Sequence, residues 1–239
     1  MKPASTQQSE SSVQKNISFF KENLAAYSGH VETLDTYKNI RGFTNQALAG
    51  IDRLLDVGNG GTFDYDVHLV RELVAVDLFL TDLSQAGFPP HVELKNGSAL
   101  DLPEPDRSFD GVLMSMLIHH LVGKTLDECR SNASRAIGEA FRVLKPGGKL
   151  VIIESCVPSW FYTFERSVFP IASRLIGMCI EHPATLQFTP LYIAKLLKEH
   201  TADVELTPIP RGRWLLQYGF KFPSALTPVQ PYRFVARRR

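Results

Sequence analysis

Three stretches of this sequence combine residue types and spacing that could do chemistry. Ile118-His119-His120-Leu121 sets two imidazoles directly after an apolar run, and histidine is the side chain best suited to take a proton near pH 7. Leu54-Leu55-Asp56-Val57-Gly58-Asn59-Gly60-Gly61-Thr62 places a carboxylate among apolar residues and follows it at once with glycines. Without Cβ atoms, such a turn lets a ligand come close to the backbone. Leu73-Val74-Ala75-Val76 then ends in a second acid, Asp77, at the strand tip where a nucleotide-binding α/β fold holds ribose hydroxyls.

The glycine turn and Asp77 together point to an adenosine ligand. A dinucleotide fingerprint needs a small third residue for close helix–strand packing, and that position is Phe63. Asp56 directly before the turn would repel a pyrophosphate and attract an α-amino group. S-adenosylmethionine offers an adenosine, a sulfonium and an ammonium without any phosphate, so the charges favour it. A nicotinamide-dependent oxidoreductase is the less favoured alternative, for the same two reasons.

The elements that would position these groups alternate along the chain. Strands are predicted at Arg53–Val57, Leu73–Val76, His91–Asn96, Gly111–Ser115 and Lys149–Glu154. A short helix is expected near Tyr65–Leu69, a long one at Leu126–Val143, and a turn at Lys145-Pro146-Gly147-Gly148. Alternation of this kind implies a mostly parallel sheet with right-handed crossovers and ligands beyond the carboxyl ends of its strands. The residues to inspect are therefore Gly58, Asp77, Ser98, Ser115 and Glu154. Later come a helix at Thr189–Glu199, with Leu191, Ala194 and Leu197 inward, and strands at Val204–Ile209 and Tyr232–Ala236. Upstream, a helix with Val13, Ile17, Phe20 and Leu24 on one face precedes a second over Glu32–Leu48.

Five blocks in one register carry a family resemblance. They are Asp56-Val57-Gly58-Asn59-Gly60-Gly61, Val76-Asp77-Leu78, Gly97-Ser98-Ala99-Leu100-Asp101-Leu102-Pro103, Ser108-Phe109-Asp110-Gly111-Val112 and Leu144-Lys145-Pro146-Gly147-Gly148-Lys149-Leu150. With them the chain resembles a class I S-adenosylmethionine-dependent methyltransferase of the small-molecule type. The resemblance implies a Rossmann-like, doubly wound seven-stranded sheet, mostly parallel with the last strand antiparallel, carrying N-terminal helices and a helical cap insertion. It implies cofactor contacts from Asp56, Gly58, Asn59, Gly60, Asp77, Leu78, Ser98, Ala99 and Ser115. Asn59 departs from the small residue or cysteine usual in the turn, and Ser98 from an acid near the adenine. Some related O-methyltransferases place a catalytic histidine in a pair such as His119-His120. Here the pair could equally cap a loop or pack beneath the cofactor, and sequence does not rank the two. Tyr27 and Tyr37 are lid candidates by the same resemblance.

The implied reaction is methyl transfer to an oxygen or nitrogen of a small organic acceptor, such as a secondary metabolite. A fold that binds S-adenosylmethionine for a partner protein without methylating is the other reading. The expected organisation is a disordered tail over 1–12, lid helices over 13–50, a cofactor-binding core over 51–157, a cap over 158–190 and a C-terminal part over 191–239. The cap is rich in bulky apolar groups from Trp160 to Ile176, with Glu165, Arg166 and Arg174 interrupting it too early for a membrane span. It is expected to cover the acceptor pocket or to pack as an ordinary core helix. Glu181-His182 and Arg211-Gly212-Arg213-Trp214 are further pocket candidates, read more readily as surface loops. A formal charge of +1 gives no nucleic-acid signature. Cys129, Cys156 and Cys179 have no metal or disulfide spacing, so reduced thiols, no metal and a cytoplasmic location are expected. Arg237-Arg238-Arg239 reads as a solvated end.

Overall fold

The computed structural model describes residues 34–78, 80, 87–163, 167, 185–217 and 220–239. The expected tail, the helix over Val13–Leu24, Tyr27, Cys179, Glu181-His182 and most of the cap lie outside the described residues. Among the described residues nine strands occur in order: β1 (Arg53–Val57), β2 (Glu72–Asp77), β3 (Val92–Asn96), β4 (Phe109–Ser115), β5 (Leu144–Cys156), β6 (Val204–Pro208), β7 (Trp214–Gln217), β8 (Phe220–Pro223) and β9 (Gln230–Arg237). Helices are α1 (Asp35–Leu48), α2 (Leu126–Val143) and α3 (Pro190–Lys198). Seven strands form one sheet in the order β3-β2-β1-β4-β5-β9-β6. Strands β1 to β5 pair in parallel, and β9 runs antiparallel to both β5 and β6. This is the doubly wound, mostly parallel sheet the sequence predicts.

Side chains alternate across a strand, and here both faces are apolar. Leu55, Val57, Val74, Val76, Val112, Met114, Leu150 and Ile152 face one core, which α2 and α3 complete with Ala133, Ile137, Ala140, Ile193 and Leu197. Leu54, Leu73, Leu113, Val151 and Ile153 face the other, under Ile40, Ala47 and Leu48 of α1. Continuous apolar runs such as Val112-Leu113-Met114 are thus the signature of a strand covered on both sides. Helix α2 starts at Thr125, whose hydroxyl accepts from Glu128 N at 3.1 Å, with Asp127 and Glu128 in its first turn; both features favour a helix N-terminus. Lys149 caps the other end of α1, donating to the carbonyls of Ala47 and Ala49 at 2.9 and 2.7 Å.

Four details depart from the sequence reading. The stretch Lys145-Pro146-Gly147-Gly148 lies within β5 as an irregularity: Phe109 pairs Leu144, yet Gly111 pairs Lys149. In α3, Leu191 is 72% exposed, while Ile193, Ala194, Leu196 and Leu197 are buried. Near Tyr65 only the turn Val67–Leu69 is helical, and Tyr65 itself is buried. Arg238 is not simply solvated. Its guanidinium donates to the carbonyls of Phe141 and Arg142 at 2.6 and 3.0 Å, and to that of Leu144.

Candidate functional site

Strand register brings the candidate residues to one edge. Val57 pairs with Val76 and Met114, Asp77 with Asn96, and Ser115 with Ile153. The carboxyl ends of β1 to β5 are therefore nearly flush, and the loops that leave them meet. The β1 loop turns through Gly58, Gly60 and Gly61 at φ +76°, +62° and +83°, a region side chains rarely enter. Gly58 N bonds Val76 O at 2.8 Å, which folds the loop back over β2. A Cβ on Gly58 would lie 2.4 Å from Leu117 Cδ1. The glycine loop thus packs directly against the segment carrying His119.

Asp77 stands at the tip of β2. Its carboxylate accepts from Gly60 N at 2.9 Å and from Leu78 N. Burial holds its pKa above the usual value, while those two N–H groups pull the other way. Leu78, the next residue, is 45% exposed. Asp56 is placed otherwise than its charge alone implies. It is buried beneath the loop, where Tyr65 OH donates to Oδ2 at 2.8 Å and Asn59 Nδ2 at 3.1 Å. Burial raises its pKa to about 7, against the lowering effect of those two donors. Asn59, the unusual loop residue, also accepts from Gly61 N at 2.8 Å, so its amide braces the turn. Phe63 packs edge-on against Tyr65 and Phe88, at ring separations of 5.7 and 5.8 Å.

Ser98 and Ala99 follow β3 and are half-buried; Ser98 Oγ accepts from Leu100 N at 3.2 Å, closing a small turn. After β4, half-buried Ser115 is followed by Met116 at φ 53°, a conformation costly for a non-glycine residue. The chain can then turn sharply into Ile118–His120. Glu154, only 1% exposed at the end of β5, holds that turn. Its Oε2 accepts from Ile118 N at 2.7 Å and His119 N at 3.3 Å. Its Oε1 accepts from Ser155 N at 2.7 Å and meets His119 Nδ1 at 2.6 Å. An ionised carboxylate only accepts, so in this pair Nδ1 is the donor. The two imidazoles lie with ring centres 4.1 Å apart. His119 has the buried carboxylate, a distinction that the sequence did not draw. Glu154 appeared there as a strand end, whereas its role depends on a pairing across 35 residues.

Beyond the predicted set, Arg130 of α2 donates to Tyr162 OH at 3.2 Å and lies over the Tyr192 ring, which stacks on Phe188. Leu186 N bonds His119 O at 3.0 Å, which ties this aromatic group to the histidine turn. Arg211, a further pocket candidate, has its guanidinium on the carbonyls of Thr227 and Val229.

An adenosine joined to an amino acid through a sulfonium can be compared with this geometry. The loop presents glycine backbone at left-handed φ, and Asp77 keeps lone pairs on both oxygens for hydroxyl donors. Asp56 Oδ1 is buried with no hydrogen-bond partner among the described residues, an acceptor that a cationic donor would satisfy. Those residues fit. A family model for methyltransferase domains matches residues 55–152. That stretch is similar to a methyltransferase domain, which supports a class I S-adenosylmethionine-dependent methyltransferase family for the core of this chain.

Among curated relatives, a demethylmenaquinone methyltransferase of Lactiplantibacillus plantarum is 28% identical over 156 residues, covering 56% of this chain and 61% of the relative. One of Symbiobacterium thermophilum is 36% identical over 67 residues, 28% of this chain and 23% of the relative. The chain thus spans less than two thirds of the length of these relatives. A SAM-dependent methyltransferase of Thermotoga maritima has a similar fold, with a TM-score of 0.56 at 17% identity over 92% of this chain and 98% of that one.

Proposed function

We propose that this methyltransferase transfers a methyl group from S-adenosylmethionine to an oxygen or nitrogen of a small organic acceptor, with His119 as general base. The observation that carries this is the Glu154–His119 pair, buried at the carboxyl edge and packed through Leu117 onto the glycine loop. The cofactor supplies an electrophilic methyl on a sulfonium. The chain must hold the acceptor in line with it and take away the acceptor's proton. Asp77 would hold the ribose hydroxyls, the Gly58–Gly61 turn would lie along the amino-acid part, and Asp56 Oδ1 would face its ammonium. Leu78, Ser98, Ala99 and Ser115 would border the adenosine.

Glu154 fixes His119 with Nδ1 protonated, so Nε2 receives the acceptor proton, and the buried carboxylate stabilises the imidazolium that results. His120 would shape the acceptor side. The names of the relatives favour one narrower acceptor, a hydroquinone. Removing its ring hydroxyl proton activates either the oxygen or the adjacent ring carbon, so the same base would serve.

The test is methyl release from radiolabelled S-adenosylmethionine across phenols, hydroquinones, amines and carboxylates. Calorimetry of S-adenosylmethionine, its demethylated product and NADH runs beside it. Turnover that falls at least a hundredfold in His119→Gln, with cofactor affinity retained, is the expected result. Cofactor binding without turnover on any acceptor would favour the binding protein instead. NADH binding alone would refute the assignment.

A further inference from the structure

We propose that the insert between β6 and β9 docks the site-bearing edge of the sheet onto an anionic lipid surface. After Glu205 the sequence contains seven arginines and lysines and no acid, whereas the chain before that point is net acidic. Part of this charge is spent within the fold. Arg233 pairs with Glu205 at 2.9 Å, Arg237 with Asp203 at 3.7 Å, and Arg238 holds backbone carbonyls. Arg211, Arg213 and Lys221 belong to the insert and are exposed.

Topology fixes where the insert stands. Strands β5 and β6 both run antiparallel to β9, so β6 runs parallel to the β1–β5 set and ends at the same edge. Gln230, where β9 begins, pairs with Cys156, and Tyr232 pairs with Glu154. The two ends of the insert, Ile209 and Gln230, therefore lie at the edge that carries Glu154 and His119. The insert is anchored on α1, with Gly212 N donating to Thr36 Oγ1 and Thr36 Oγ1 donating to Trp214 O, both at 2.9 Å. Asp35, which borders Gly212 at this anchor, faces Lys38 at 3.8 Å.

The hairpin of β7 and β8 has two unlike faces. Leu215 pairs Phe222, and Leu215 is buried against the body. Trp214 stands on the opposite face, with Lys221 Nζ 5.2 Å from its ring centre. Trp214 and Leu226 are 39% and 80% exposed, Phe222 on the Leu215 face is 42% exposed, and Trp160, just past β5, is 68% exposed. Large apolar tips interleaved with cations match a bilayer interface, where rings sit at headgroup depth and lysines or arginines meet anionic lipids. No helix among the described residues is long and apolar enough to cross a membrane, so docking would be peripheral.

The test is sedimentation of the full chain with phosphatidylcholine vesicles, with and without phosphatidylglycerol. Binding is expected only with the anionic lipid, weakened by salt, and with a blue-shifted Trp214 emission read in a Trp160→Phe background. Arg213→Gln with Lys221→Gln should weaken binding by about thirtyfold, from about 1 kcal/mol per basic residue at the surface, while thermal unfolding and S-adenosylmethionine affinity stay unchanged. Trp214→Ala should weaken it independently of salt. Equal binding to both vesicle types, or anionic binding indifferent to the double variant, would overturn the proposal. So would binding of a DNA duplex or self-association in place of vesicle binding. The readout needs no methyl transfer, so it stands or falls apart from the proposed reaction.

Discussion

Replacing Gly58 with alanine perturbs two things whose costs can be separated. At φ +76° an L-residue sits in the left-handed region, at about 1–2 kcal/mol. The added methyl would also lie 2.4 Å from Leu117 Cδ1 and 3.0 Å from its Cγ, against about 3.5 Å for carbons in contact. Leu117 is a side chain and can rotate, so this second cost is about 1 kcal/mol. Gly58→Ala should therefore lose about 2–3 kcal/mol in urea unfolding. In Leu117→Ala the methyl finds room, and the same substitution should cost only the backbone share. The double-mutant cycle should then show a coupling of about 1 kcal/mol, above the usual scatter of about 0.3–0.5 kcal/mol. Calorimetry of S-adenosylmethionine on the four proteins should show weaker binding wherever Gly58 is replaced. Additive stabilities would mean that the glycine loop does not rest on Leu117. Unchanged stability of the single variant would refute the left-handed turn itself.

Glu154→Gln leaves an amide NH2 facing N–H donors at one end of the site now held by two carboxylate oxygens. A loss of about 2–3 kcal/mol in chemical denaturation is expected, together with a fall of about 10²- to 10⁴-fold in single-turnover rate. Asp56 has a folded pKa of about 7 and an unfolded one near the ordinary 3.8. Between those values the folded state holds the extra proton, so this group's stabilisation is fully present below the lower value. It is lost as pH rises towards about 7. Asp56→Asn should remove that slope, so its melting temperature should gain on wild type between pH 5 and pH 8; parallel profiles would contradict the buried placement. Arg238→Met deprives the carbonyls of Phe141, Arg142 and Leu144 of a shared donor. It should lower the urea midpoint by about 1–3 kcal/mol equivalent with cofactor affinity intact.

Much of the core was legible because parallel strands covered on both faces leave apolar runs, and glycine turns punctuate them. Val112-Leu113-Met114 and Leu54-Leu55 could hardly be anything else, and α2 matched at both ends because Thr125 and the acids after it mark its start. Misreadings arose where a local pattern admitted two solutions. Leu191 fits an apolar stripe as well as Ile193 does, and only the packed partner decides between them. The β7–β8 hairpin was missed because Trp214 to Pro223 has no alternation strong enough to stand out. At the site, the acids and glycines could be placed by motif. The direction of Asp56, turned under the loop towards Tyr65, and the choice of His119 over His120 depend on contacts between residues far apart in sequence. No spacing rule reaches them.

The position of β9 also bears on how the molecule can assemble. Strand β5 ends at Cys156, but its outer neighbour does not begin until Gln230, and β6, made earlier, pairs only with that late strand. During synthesis β6 therefore waits without its partner while β5 offers a bare apolar edge. Such long-range pairings slow folding, and unpaired edges invite association with other chains. Nascent chains stalled before Gln230 should depend on chaperones far more than chains released after Arg237.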